Sequence, residues 1–197
     1  MDGAVVSGNC VTACDKNTTY DYLNHPIVEE LYEKHKNGEL DFGGVILCPV
    51  TPKLSEKEKF TSYSAKLAKM LGLDGVIISQ EGGGNPETDT MLLCKKCEEM
   101  GVKTVVMTHE NSGELGDSDP LTYFVPEADA IVTMGNTNIK ITLPPMDKII
   151  GDIKTVEKLS GSLKNALKED GSIGVMLDAI VGSINNFGVS KMTTRLY

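Results

Sequence analysis

The run Gly75-Val76-Ile77-Ile78-Ser79, continued by Gln80-Glu81-Gly82-Gly83-Gly84-Asn85-Pro86, decides the fold. A short, continuous, β-branched stretch closed by glycines and a proline reads as a strand buried on both faces that turns sharply into a helix. Three comparable runs, Gly44 to Val50, Lys103 to Thr108 and Asp129 to Met134, accompany it. Between them the period changes to helical. One helix is expected from Ser55, with Glu58 three residues on as a capping box, burying Phe60, Tyr63, Leu67 and Met70 before Gly72. A second is expected from Pro86 to Met100, stopped by Gly101.

This alternation predicts an α/β fold with a single open, doubly wound, mostly parallel sheet and helices on both faces, a Rossmann-like three-layer arrangement. Outside it, His25-Pro26 starts a helix that Asn37-Gly38 ends, and Ile139 to Leu143 alternates like a fifth strand. Residues 153–168 and 176–184 read as helices. No linker or repeat is visible, so one α/β domain over 1–197 is expected, with 1–24 a polar, turn-rich segment and 25–197 the body.

Composition narrows the function. Twenty-eight acidic against 19 basic side chains give a net charge of −9, which repels phosphate backbones and argues against nucleic acid as a partner. No apolar run is long enough to cross a bilayer and no signal peptide is visible. Five cysteines without secretory features suit a reducing cytoplasm rather than a disulfide framework. Cys94 and Cys97 form a CxxC inside a helical stretch, where two packed small side chains are the simpler reading than a redox pair. No second Cys or His pair stands at zinc spacing, so no metal is expected, and no nucleotide fingerprint is present.

In open α/β sheets ligands bind beyond the carboxyl ends of the strands. Here those ends carry Glu81 with Gly82, Gly83, Gly84 and Asn85, then His109 and Glu110, then Asn136. The triple glycine would let backbone amides approach an anion such as a substrate carboxylate, or would be only a tight turn or a subunit contact. Glu81, His109 and Glu110 are candidates for moving protons, or for capping loops. The Asn9-Cys10 bond, Gly-flanked in Ser7-Gly8-Asn9-Cys10, is a candidate for self-cleavage, because a thiol can attack the preceding carbonyl.

Four segments carry a resemblance: GNCVTACDKNTTYDYLNHPIVEELY (8–32), SQEGGGNPETD (79–89), VMTHENSGELGDSDPLTYFVPEADAIVTMGNTN (106–138) and INNFGVSKMTTRLY (184–197). Together the chain resembles the carboxy-terminal half of the pyruvoyl-containing proprotein of glycine, sarcosine and betaine reductase component B. The resemblance implies that Cys10 is the precursor of a covalent pyruvoyl group and Asn9 the new carboxyl terminus of the upstream piece. It implies a Schiff base between that group and a small amino-acid substrate, with reductive C–N cleavage by a partner selenocysteine-containing subunit. The quaternary nitrogen of betaine cannot form such a base, and the residues do not choose among the three substrates. Further partners are the upstream half of the proprotein, the other reductase components and a second copy of the chain. Only nine residues precede the junction, so the chain is expected to be a shortened or separately encoded second half with Asn9-Cys10 intact. The competing readings are a docking or small-ligand-binding subunit without chemistry, and a D-proline reductase-like pyruvoyl subunit.

Overall fold

The computed structural model describes residues 26–79, 84–110, 112–145, 147–148, 152, 156 and 163–177. Three helices, α1 (Pro26–Lys36), α2 (Leu54–Met70) and α3 (Asn85–Glu99), accompany five strands: β1 (Gly75–Ser79), β2 (Lys103–Glu110), β3 (Ile131–Asn136), β4 (Lys140–Leu143) and β5 (Ile173–Met176). Strands β1, β2 and β3 form a parallel sheet in that order, with Ile77 opposite Val105 and Met107 opposite Val132. Parallel pairing brings Ser79, Glu110 and Asn136 to one edge, as the alternation of strands and helices predicts. The molecule is therefore α/β with a parallel sheet. Strands β4 and β5 pair antiparallel as a separate ribbon.

One face of the parallel sheet is covered by helix. Ile78, Val106 and Ile131 meet Met91 and Cys94 of α3, with Val125 and Ala128 closing the cluster. Burying side chains such as Met91 and Val106 contributes about 1.5–3 kcal/mol each. Helix α2 packs on α3 rather than on the sheet, through Ala65, Ala68, Cys97 and Val102. Small side chains at Thr61, Ser64, Ala65 and Ala68 allow that close approach.

Several expectations change. Helix α2 turns its large apolar side chains outward: Tyr63, Leu67 and Met70 are exposed, and the small residues beside them are buried. Ser55 does not cap it. The helix starts one residue earlier, and Thr51 instead donates to Glu56 at 2.6 Å. Residues 44–50 form no strand; Gly44 sits at φ 117°, outside strand geometry, and Pro49 has no N–H to give a ladder. Met176 ends β5 instead of starting a helix, and 163–168 is turn and bridge, with Asn165 at φ 53°. Residues 178–184 lie outside the described residues, as do 153–155 and 157–162. The connection from β2 to β3 holds only turns among its described residues, so no third crossover helix appears there.

Candidate functional site

The carboxyl edge of the sheet is organised by Glu110 and Asn136, which stand opposite each other across β2 and β3 after a register shift. Glu110 ends its strand with both carboxylate oxygens engaged: Thr133 donates to Oε1 and Ser112 to Oε2, the latter at 3.2 Å. Its carbonyl accepts from the N–H of Thr137 at 3.0 Å and from the Thr137 hydroxyl at 3.1 Å. Asn136 ties the two loops together. Its Oδ1 accepts from the N–H groups of Ser112 and Asn138, and its Nδ2 donates to the Gly113 carbonyl at 2.6 Å. Gly113 N–H in turn donates to Asn138 Oδ1. A loop stapled at this many points holds the Glu110 carboxylate in place before any ligand arrives.

Beside Glu110 lies a cavity of about 600 Å³. Glu110, Thr133 and Ile131 form its sheet wall; Asp119, Thr122, Tyr123 and Phe124 form the loop wall. Among the described residues, two carboxylates and two aromatic rings line it and no basic side chain does, a chemistry that suits a small organic cation.

The loop wall is anchored to the start of α3. Thr122 N–H and hydroxyl both reach Glu87 Oε2 at 2.6 Å, and the hydroxyl also lies 3.1 Å from the Gly84 carbonyl. Glu87 is buried, and its Oε1 has no hydrogen-bond partner among the described residues. Gly84 precedes the helix at φ 76°, a conformation that L side chains rarely adopt, which explains glycine as the last residue of the triplet. Asn85 donates from Nδ2 to the Thr51 carbonyl at 3.4 Å and accepts at its own carbonyl from Lys57 Nζ at 3.1 Å. Below it, Lys57 pairs with Asp89, both buried. Burial raises the Asp89 pKa from its ordinary value of 3.8, and the Lys57 hydrogen bond and charge oppose the rise.

Of the residues singled out from sequence, Glu110 and Asn136 are brought together, and Gly84 and Asn85 open α3. His109 occupies β2 one residue before Glu110. Asn9, Cys10, Glu81, Gly82 and Gly83 lie outside the described residues. The sequence reading missed Asp119, Thr122, Tyr123, Phe124 and Thr133. For all but Thr133 the signal was there in Asp119-Pro120-Leu121-Thr122-Tyr123-Phe124, adjacent aromatics near an acid in a stretch without helical period.

The CxxC behaves as packing. Cys94 and Cys97 are buried, and Cys94 Sγ lies 3.2 Å from Thr104 Oγ1. Desolvation pushes the Cys97 thiol up from 9.0 to about 11, away from the thiolate that redox chemistry needs. Among the described residues no helix is long and apolar enough to cross a membrane.

A family profile described as glycine/sarcosine/betaine reductase component B subunits matches residues 1–195. The chain belongs to this family. It is 48% identical over its full length to glycine reductase complex component B subunits alpha and beta of Peptoclostridium acidaminophilum. It is 44% identical, again over its full length, to sarcosine reductase complex component B subunit alpha of the same organism. To betaine reductase complex component B subunit alpha it is 35% identical over 88% of the chain. The component B chain described here spans 46% of the length of the first two relatives and 41% of the third. No solved structure matches it. By their names, these relatives are components of reductase complexes.

Proposed function

We propose that this chain is the substrate-activating portion of an amino-acid reductase component B, carrying a pyruvoyl group derived from Cys10 and working with a partner selenoprotein in the cytoplasm. The observation that supports this most is likeness to the glycine and sarcosine reductase relatives along the whole chain, in a family match that spans the Asn9-Cys10 junction. When formed, a pyruvoyl group supplies an electrophilic carbonyl for the substrate amine, the basis of Schiff-base chemistry.

The chain's own residues bind and orient. Glu110 and Asp119 would take the positive charge of the substrate nitrogen, and Tyr123 and Phe124 its methylene or methyl groups. The amides opening α3, with Gly82, Gly83 and Gly84, would face the substrate carboxylate. Thr122 serves both ends, lining the cavity and reaching Gly84. Asn85 and Asn136 hold the flanking loops, and Glu81 and His109 would relay protons as nitrogen leaves. The selenolate comes from a partner, since no residue of this chain can supply it.

Intact-mass measurement with and without hydrazine tests the reading. The chain alone is expected to show its full mass and no reaction. Produced together with the part of its component B relatives that it does not match, it is expected to yield a species starting at residue 10 whose mass shifts with hydrazine. The Cys10→Ala variant is expected to yield neither. Cleavage in parent and Cys10→Ala alike would remove Cys10 from the mechanism.

A further inference from the structure

Among the described residues, the face of the parallel sheet turned away from α3 carries apolar side chains that stay partly exposed. Side chains alternate across a strand, so with Val76, Ile78 and Val106 directed to the helices, Ile77 and Val105 point the other way. Met107 and Val132, in register with each other, continue that face into β2 and β3. Ile77 is 43% exposed and Val132 45% exposed, with Val105 and Met107 half-buried between them. No charged side chain interrupts Ile77, Ser79, Val105, Met107 and Val132. A sheet face left in water normally carries polar residues, whereas the strands of a parallel sheet are apolar on both faces because both are covered.

The segment before α2 extends the pattern. Ile46 packs inward against the cluster of Ala65, Ala68, Cys97 and Val102, and Cys48 is half-buried; Val45 and Leu47 between and beside them are 40% and 53% exposed. Gly43 lies so close to Leu73 that a Cβ there would sit 2.6 Å from its Cδ2, which places this segment against the start of β1. Among the described residues, strand β1 is the edge of its sheet.

We infer that this open face is where the remaining polypeptide of component B docks, covering Ile77, Val105 and Val132 together with Val45 and Leu47. The occupant is indicated by length: the chain accounts for 46% of the glycine and sarcosine relatives, so more than half of each lies in polypeptide it does not match. The outer stripe of α2 is a poorer candidate. Lys59 lies 5.9 Å above the Tyr63 ring, and Lys66 and Lys69 interleave with Leu67 and Met70. The inference rests on membership of the component B family and not on the pyruvoyl chemistry.

Size-exclusion chromatography with light scattering tests it. The probe is the part of the Peptoclostridium acidaminophilum glycine reductase relative that this chain does not match, added to the whole chain. A one-to-one complex is expected with the parent and with the control Met70→Lys. Ile77→Lys combined with Val132→Lys is expected to weaken it at least 10-fold. Circular dichroism and the melting temperature of each variant exclude unfolding as the cause; should the double variant unfold, Ile77→Ser with Val132→Thr replaces it. Complex formation untouched by the face variants, loss with Met70→Lys instead, no complex with the parent, or a homodimer that the face variants abolish would each overturn the inference. The hydrazine result bears on Cys10 alone, so the two ideas fail separately.

Discussion

Thr122 gives its backbone N–H and its hydroxyl to a single oxygen of Glu87, each at 2.6 Å, and so fastens the aromatic wall of the cavity to the first turn of α3. The carboxylate is buried, so this attachment replaces water that Oε2 can no longer reach. Thr122→Val keeps the shape and the N–H but removes the hydroxyl. It is expected to lower stability by about 1–2 kcal/mol in urea unfolding. Glu87→Leu removes the acceptor from two donors and is expected to cost more. A Glu87→Leu chain as stable as the parent would show that the attachment contributes nothing.

The Lys57–Asp89 pair is more demanding because both partners are buried. Lys57→Met strands the Asp89 carboxylate and is expected to cost about 3–5 kcal/mol at neutral pH. The pH sign is definite. Burial already holds the Asp89 pKa above 3.8, and losing Lys57 raises it further. The stability of Lys57→Met relative to the parent should therefore recover as pH falls through that raised pKa, where Asp89 becomes neutral. The double variant Lys57→Met, Asp89→Leu should regain most of the loss at pH 7. Denaturant midpoints at pH 5 and pH 7 check both statements.

The cavity at Glu110 is expected to discriminate by charge. Betaine and 3,3-dimethylbutanoate share shape and carboxylate, but only betaine carries a positive centre. Chemical-shift titration of the whole chain should show betaine binding and the isostere without the positive centre binding more weakly. Phe124→Ala should weaken betaine roughly 3- to 30-fold, the range of an aromatic–cation contact. Equal binding of the two molecules would remove Glu110, Asp119, Tyr123 and Phe124 from substrate recognition.

Cys97 makes an alkaline prediction. Its thiol is raised from 9.0 to about 11 by desolvation, so folding favours the neutral form. That contribution, about 3 kcal/mol, is full below pH 9 and is lost as pH rises to about 11. Unfolding free energies of the parent should fall more steeply between pH 9 and pH 11 than those of Cys97→Ala. Identical slopes would contradict the raised thiol. Iodoacetamide at pH 8 should likewise leave Cys94 and Cys97 unmodified until denaturant is added.

Much of the architecture was legible in the residues alone. Continuous β-branched runs at Gly75–Ser79, Lys103–Thr108 and Asp129–Met134 announced parallel strands, and Pro86 and Gly101 bracketed α3, because local backbone preferences and the apolar period act over a few residues. Parallel pairing then placed Glu110 and Asn136 at one edge, as expected. Similarity over the full chain carried the family. Which face of α2 turns inward was not legible, because its period fits either Tyr63, Leu67 and Met70 or the small residues beside them. The close approach of α2 to α3 selects the small ones.

Tertiary structure also decided the fate of 44–50, whose composition reads as a buried strand. Ile46 packs against the cluster of Ala65, Ala68, Cys97 and Val102, while Val45 and Leu47 meet water and form no ladder. A strand needs a partner for its N–H and C=O groups and a cover for each apolar face, and neither can be read from the segment itself. The cavity was hidden for a related reason. Asp119, Tyr123 and Phe124 line the cavity with Glu110 in a loop that Thr122 ties to Glu87, 35 residues away, a long-range hydrogen bond that no local period encodes.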